Sequence, residues 1–105
     1  MQKQFYQGDV SIIATTHKDV SFKKLDKPLI VAEGELTGHM HTLVANSKAE
    51  VEWHKEEGWF QIRVKNGSAT LTHQEHDPIT LEIGDYAIGK QFEYDEITEF
   101  RKVSD

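Results

Sequence analysis

Short apolar or alternating runs bounded by Gly, Asp, Asn and Pro recur along the whole chain, and a 3.6-residue helical period is hard to find anywhere. This spacing predicts strands over Val10 to Thr15, Leu29 to Glu33, His39 to Ala45, Ala49 to His54, Trp59 to Lys65, Ser68 to His73, Ile79 to Ile83, Tyr86 to Phe92 and Ile97 to Val103. About nine short strands in one small domain predict an all-β fold, either a barrel or a sandwich. Pro28 and Pro78 each precede an apolar or β-branched run and read as strand entrances. The stretch 16–27 lacks strand alternation and is open between a turn of helix and a long loop.

The segment WFQIRVKNGSATLTH carries the strongest local signal, because Asn66-Gly67 between two alternating runs predicts a two-residue type I′ hairpin. In that register Val64 faces Ala69, Ile62 faces Leu71 and Phe60 faces His73. Phe60, Ile62, Val64, Ala69, Leu71 and His73 then share an inward face. Gln61, Arg63, Lys65, Ser68, Thr70 and Thr72 form a polar face toward water. In the run 39–45 the period of two places His39, His41, Leu43 and Ala45 together, opposite Met40, Thr42 and Val44.

The two alternating runs end in histidines. His39-x-His41 on a strand is a two-ligand clip, since imidazoles two residues apart can lean onto one ion with nitrogens near 2.1 Å. His73 and His76 lie three apart and need a bend between them, which the polar segment Gln74-Glu75-His76-Asp77 before Pro78 supplies. If the fold brings both pairs together, His39, His41, His73 and His76 are candidate ligands for zinc, iron, manganese or nickel. The alternative is four histidines separately satisfied by carbonyls or water. Glu33 and Glu75 are the candidate proton-transfer residues. Glu35 and Asp77 read as solvated, as do His17 and His54, which have no partner at ligand spacing.

Composition narrows the chemistry further. The 105 residues hold no cysteine, so disulfides and thiolate metal sites are excluded. A formal net charge of −6 disfavours nucleic-acid binding, which draws its affinity from Lys and Arg neutralising phosphates. The cluster Lys23, Lys24, Lys27 is interrupted by Asp26 and reads as a solvated turn. No leader-like apolar segment opens the sequence and no run is long enough to cross a bilayer, so the expectation is a soluble, cytoplasmic protein. Trp53, Trp59, Phe60, Tyr86, Phe92, Tyr94 and Phe100 are expected in the core rather than around a ligand. There is no HExxH, GxSxG, P-loop or Rossmann pattern.

Three blocks, QGDV at 7–10, EGELTGHMH at 33–41 and LTHQEHDPITLEIGDYAIGKQFEYD at 71–95, resemble a group of small, largely uncharacterised bacterial and phage proteins. The resemblance implies that the four histidines are that group's shared polar positions, and implies nothing about substrate. A looser similarity is to cupins, where HxH follows a glycine, as Gly34 precedes His39-Met40-His41 here. The segment where a cupin carries its glutamate holds Asn46 and Ser47 instead. The resemblance therefore implies a cupin-like shape and does not carry the cupin ligand set over to this chain.

Three functional readings remain. The first is a metal-dependent enzyme acting on a small molecule, and the second a metal-stabilised structural or interaction module. The third is a metal-free β-domain that assembles with copies of itself through sheet edges.

Overall fold

The computed structural model describes residues 4–15, 20–33, 39–90, 92–95 and 99–102, with side chains up to Lys90. Among the described residues, twelve strands run in chain order: β1 Gln4–Gln7, β2 Val10–Ala14, β3 Lys23–Lys24, β4 Leu29–Glu33, β5 Met40–Ala45, β6 Glu50–Glu56, β7 Trp59–Asn66, β8 Ala69–Thr72, β9 Ile79–Leu81, β10 Gly84–Lys90, β11 Phe92–Asp95 and β12 Glu99–Lys102. They form a six-stranded sheet in the order β1-β2-β10-β7-β6-β3, a four-stranded sheet β4-β5-β8-β9, and the hairpin β11-β12. Every pairing is antiparallel.

The two larger sheets make a sandwich rather than a closed barrel, because one apolar cluster draws on both. Val10, Ile12, Val51, Phe60, Ile62, Val64, Tyr86 and Ile88 come from the larger sheet; Val31, Leu43, Ala69, Leu71 and Leu81 come from the smaller. Among the described residues there is no helix, and so none long and apolar enough to cross a membrane. The open segment holds the short strand β3, whose two exposed lysines pair along Trp53 and Glu52, with the Lys23 ammonium over the Trp53 ring.

The expected hairpin across Asn66-Gly67 does not form. β7 pairs instead with β6 (Val51 with Val64, Trp53 with Ile62) and with β10 (Tyr86 with Ile62, Ile88 with Phe60), while β8 pairs with β5 and β9. The two-residue loop lies one strand earlier, at Glu57-Gly58, where Gly58 has φ +82°. Gly67, at φ +74°, carries the chain from one sheet to the other. A β-carbon there would stand 2.8 Å from that of Ala49, so the corner has no room for a side chain. Asn46 fastens this corner: its N–H donates to the Ser68 carbonyl at 3.0 Å, and its side chain bonds both Ser68 Oγ and Thr70 Oγ1.

The inward face survives the change of partner, because alternation decides which side a residue takes regardless of which strand lies alongside. Phe60, Ile62, Val64, Ala69 and Leu71 are all buried. The polar face needs one correction, since Gln61 is also buried and donates to the Glu56 carboxylate. Its neighbours on that face, Ile13 and Ala87, are buried as well, so the centre of the larger sheet is covered on both sides.

Candidate metal centre

The smaller sheet brings the two histidine pairs together. β5 and β8 run antiparallel with Thr42 opposite Thr72, Leu43 opposite Leu71 and Ala45 opposite Ala69. β8 ends at Thr72, but that register carried past its last pair would align His41 with His73, then Met40 with Gln74 and His39 with Glu75. The contacts follow that order. The His41 and His73 ring centres lie 4.4 Å apart, the Met40 N–H donates to Gln74 Oε1 at 2.9 Å, and His39 Nδ1 is 3.3 Å from Glu75 Oε1.

His76 completes the group from the bend after β8. Its ring centre is 4.7 Å from that of His73 and 6.4 Å from that of His41, with the latter rings only 12° from parallel. His39 meets His73 edge-on at 5.6 Å. The four imidazoles therefore form one cluster with His73 at its centre. It is graded in exposure: His41 is 1 % exposed, His39 and His73 are half-buried, and Glu75 and His76 are exposed.

Burial is the largest effect on His41 and pushes its pKa below the ordinary histidine value. Charge repulsion from His73 adds to this, Asp9 opposes it, and His76 and Lys90 contribute further lowering. The neutral, metal-binding form of this ring is thus favoured.

The tip of the β1–β2 hairpin closes the cluster from the larger sheet. Gln7 pairs with Val10 across the two-residue loop Gly8-Asp9, and Gly8 sits at φ +61°, the left-handed conformation that the first central position of a type II′ turn requires. A β-carbon on Gly8 would be 2.7 Å from His76 Nε2, so glycine here lets the imidazole lie directly on the backbone. Gln7 is buried, accepts from His41 Nδ1 through Oε1 at 2.8 Å, and directs its Nε2 to the carbonyls of Leu71 and Asp77, each at 2.9 Å. Asp9 Oδ1 stands 3.6 Å from His41 Nε2, and its other oxygen 3.7 Å from Lys90 Nζ.

A bulge on β4 shapes the other flank. Pairing shifts between Ile30 and Ala32, which puts Ala32 opposite His41 and Glu33 opposite Met40. Glu33 is exposed and shares its face with Met40, the face turned away from His41. Of the two carboxylates expected to assist, the fold thus brings Glu75 to the histidines and leaves Glu33 apart. Gly34 and Glu35 lie outside the described residues, as does His17. His54 is elsewhere, 3.1 Å from the Ser21 carbonyl and 3.4 Å from Glu56.

Among the described residues, no group of three or more His, Asp or Glu already stands in metal-holding geometry. The hydrogen bonds indicate a reason. His73 Nδ1 accepts the Glu75 N–H at 3.0 Å, which commits that lone pair and leaves the proton on Nε2 of the neutral ring. A separate cavity of about 350 Å³ is lined by Phe5, Thr15, Leu81, Ile83, Asp85 and Tyr86 among others, and none of the four histidines reaches it. Of the aromatic set expected in the core, Phe60 and Tyr86 are buried, Trp53 and Trp59 are half-buried, and the side chains at 92, 94 and 100 lie outside the described residues.

Sequence reasoning did not assign Gln7, Gly8, Asp9, Gln74 or Lys90 to the site. The QGDV block carries part of the resemblance to a protein group, but glutamine and glycine announce no metal chemistry, and only folding places them beside histidines more than thirty residues away.

Residues 6–91 match a domain of unknown function (DUF8820), and the chain belongs to that family. No curated protein and no solved structure matches it.

Proposed function

We propose that this member of the family binds a divalent transition metal at the cluster of His39, His41, His73 and His76, as zinc, iron, manganese or nickel. The observation that carries the reading is the spacing of three rings. A triangle with sides of 4.4, 4.7 and 6.4 Å has its corners equidistant from one point. That distance is about 3.2 Å, which is also the distance from an ion to the centre of an imidazole bound at about 2.1 Å. An ion at that point is within reach of all three ring centres, with His41 and His76 on opposite sides of it and His73 at about 90° to both, the angles of an octahedral or square-planar site rather than a tetrahedral one. Loading it requires His73 to give up the Glu75 N–H, since Nδ1 can bind metal only once that hydrogen bond is broken and Nε2 only once its proton has moved to Nδ1.

The exposed flank at Glu75 and His76 favours an ion with a coordination position left for water or a small molecule over a closed structural zinc. In that case Glu75, already beside His39, is the residue placed to take a proton. A purely structural metal remains the second reading, favoured by the buried His41 that ties the ion to the core.

The test is elemental analysis of untagged protein purified without added metal, followed by cobalt(II) titration monitored by visible absorption. Near-stoichiometric metal is expected, with His41→Ala and His73→Ala each losing most of it. Full occupancy in either folded variant would remove the shared site. Loss of stability on chelation, with no bound-water signature in the cobalt spectrum, would favour the structural role.

A further inference from the structure

Gln7 makes three hydrogen bonds from a side chain that is 2 % exposed. Their directions are not interchangeable. The carbonyls of Leu71 and Asp77 accept only, so both must receive N–H groups of the Gln7 amide. Turning the amide over would set its oxygen against two carbonyl oxygens. Oε1 is therefore the atom facing His41, and the 2.8 Å contact is a bond in which His41 Nδ1–H donates to it.

The consequence reaches the far side of the ring. With the proton of the neutral imidazole on Nδ1, the lone pair is on Nε2, and Nε2 faces Asp9 Oδ1 at 3.6 Å. That is too long for a hydrogen bond. Two electron-rich atoms face each other there. Two donor atoms sharing one ion at about 2.1 Å stand about 3.0 to 3.4 Å apart when they subtend 90° to 109°. A small closing movement of the exposed Asp9 reaches that spacing. Without Gln7 the same carboxylate would draw the proton onto Nε2 and stop up the donor.

We propose that Gln7 is a positioning residue that holds the His41 proton on Nδ1, so that Nε2 stays open as a cation-binding nitrogen with Asp9 as the anionic ligand beside it. The role of Asp9 rests on the metal-binding reading; the tautomer does not. The same amide joins the carbonyl of Leu71 in β8 to that of Asp77 after the bend, so it also holds the frame carrying His73 and His76 against His41. His73 has the opposite tautomer, so the facing rings are preset differently, one open and one capped.

The experiment is a two-bond ¹H–¹⁵N spectrum of imidazole-labelled, metal-free protein at a pH where histidines are neutral. Wild type is expected to show His41 protonated on Nδ1 and bare on Nε2. Gln7→Met is expected to move the proton wholly or partly to Nε2 and to weaken zinc binding about 10- to 100-fold. Gln7→Glu, whose carboxylate still accepts from Nδ1 but no longer donates to the Leu71 and Asp77 carbonyls, is expected to keep the tautomer at reduced stability; should Gln7→Met fail to fold, a folded Gln7→Glu with the His41 proton on Nε2 overturns the role. Asp9→Asn is expected to leave the tautomer in place and to weaken zinc binding. A wild-type His41 carrying its proton on Nε2, or a folded Gln7→Met that keeps the Nδ1 proton, overturns the positioning role. The expected tautomers with no zinc bound by wild type would leave that role standing and overturn the metal reading together with the ligand role of Asp9.

Discussion

His41 and His73 face one another across the seam between β5 and β8, ring centres 4.4 Å apart, one ring held through Nδ1 by Gln7 and the other through Nδ1 by the Glu75 backbone. The first contact presents a protonated nitrogen and the second a bare one, so rings that the sheet treats alike have opposite hydrogen-bonding states. Any ion entering between them finds one nitrogen ready and one occupied.

Zinc binding should therefore be felt at the Glu75 amide. Its N–H loses the 3.0 Å bond to His73 when that ring turns to the ion. The expected outcome is a large change in the Glu75 amide resonance and faster hydrogen exchange at that position on adding zinc, with His73→Ala showing neither. An unchanged Glu75 amide at saturating zinc would mean that His73 is not a ligand.

Gly8 is expected not to tolerate alanine. Its φ of +61° costs a non-glycine residue about 1–2 kcal/mol, and the new methyl would stand 2.7 Å from His76 Nε2. Urea unfolding of Gly8→Ala should show a loss of at least that size, with displaced His76 ring resonances and weaker zinc binding. Wild-type stability and affinity would show that the turn relaxes freely.

Acid should destabilise the fold through His41. Burial lowers its folded pKa below the ordinary value of about 6.5 that the unfolded chain retains, so between the two the unfolded state binds more protons. The contribution is fully present above the unfolded value and is lost as pH falls through the folded one. Urea midpoints measured from pH 8 to pH 5 should decline, and His41→Gln should decline less steeply. Equal slopes in the two proteins would assign the acid sensitivity to other groups.

The corner at Gly67 should show a coupling that a free hairpin turn would not. Gly67→Ala meets the Ala49 β-carbon at 2.8 Å and its Cα at 2.9 Å in addition to the cost of a positive φ. A loss of more than about 1–2 kcal/mol is expected. Ala49→Gly in the same chain should recover the part due to the collision, which a double-mutant cycle reads directly. Additivity would place the two residues apart.

The apolar layer offers a simple contrast. Leu43, fully buried two residues along the strand from His41, should lose about 2–5 kcal/mol on truncation to alanine. Ile83, 64 % exposed, should lose no more than about 0.5 kcal/mol. Comparable losses at the two positions would contradict the two-sheet core.

Much of this protein was legible along the chain, because strand alternation is a local property. The all-β class, the burial of Phe60, Ile62, Val64, Ala69 and Leu71, and the shared face of His41 and Leu43 all follow from a period of two that holds whichever strand lies alongside. Partner choice is not local. Asn66-Gly67 carries a stronger hairpin signal than Glu57-Gly58, yet the second makes the hairpin and the first changes sheets, since burying β7 between β6 and β10 outweighs the preference of one turn. For the same reason the site came only half into view. Four histidines could be named from their spacing, but the pairing of β5 with β8 brought His41 beside His73 just past its end, and the packing of one sheet on the other brought up Gln7, Gly8 and Asp9. Those residues act through a hydrogen bond, a missing β-carbon and a charge, none of which exists as a signal until the distant chain is in place.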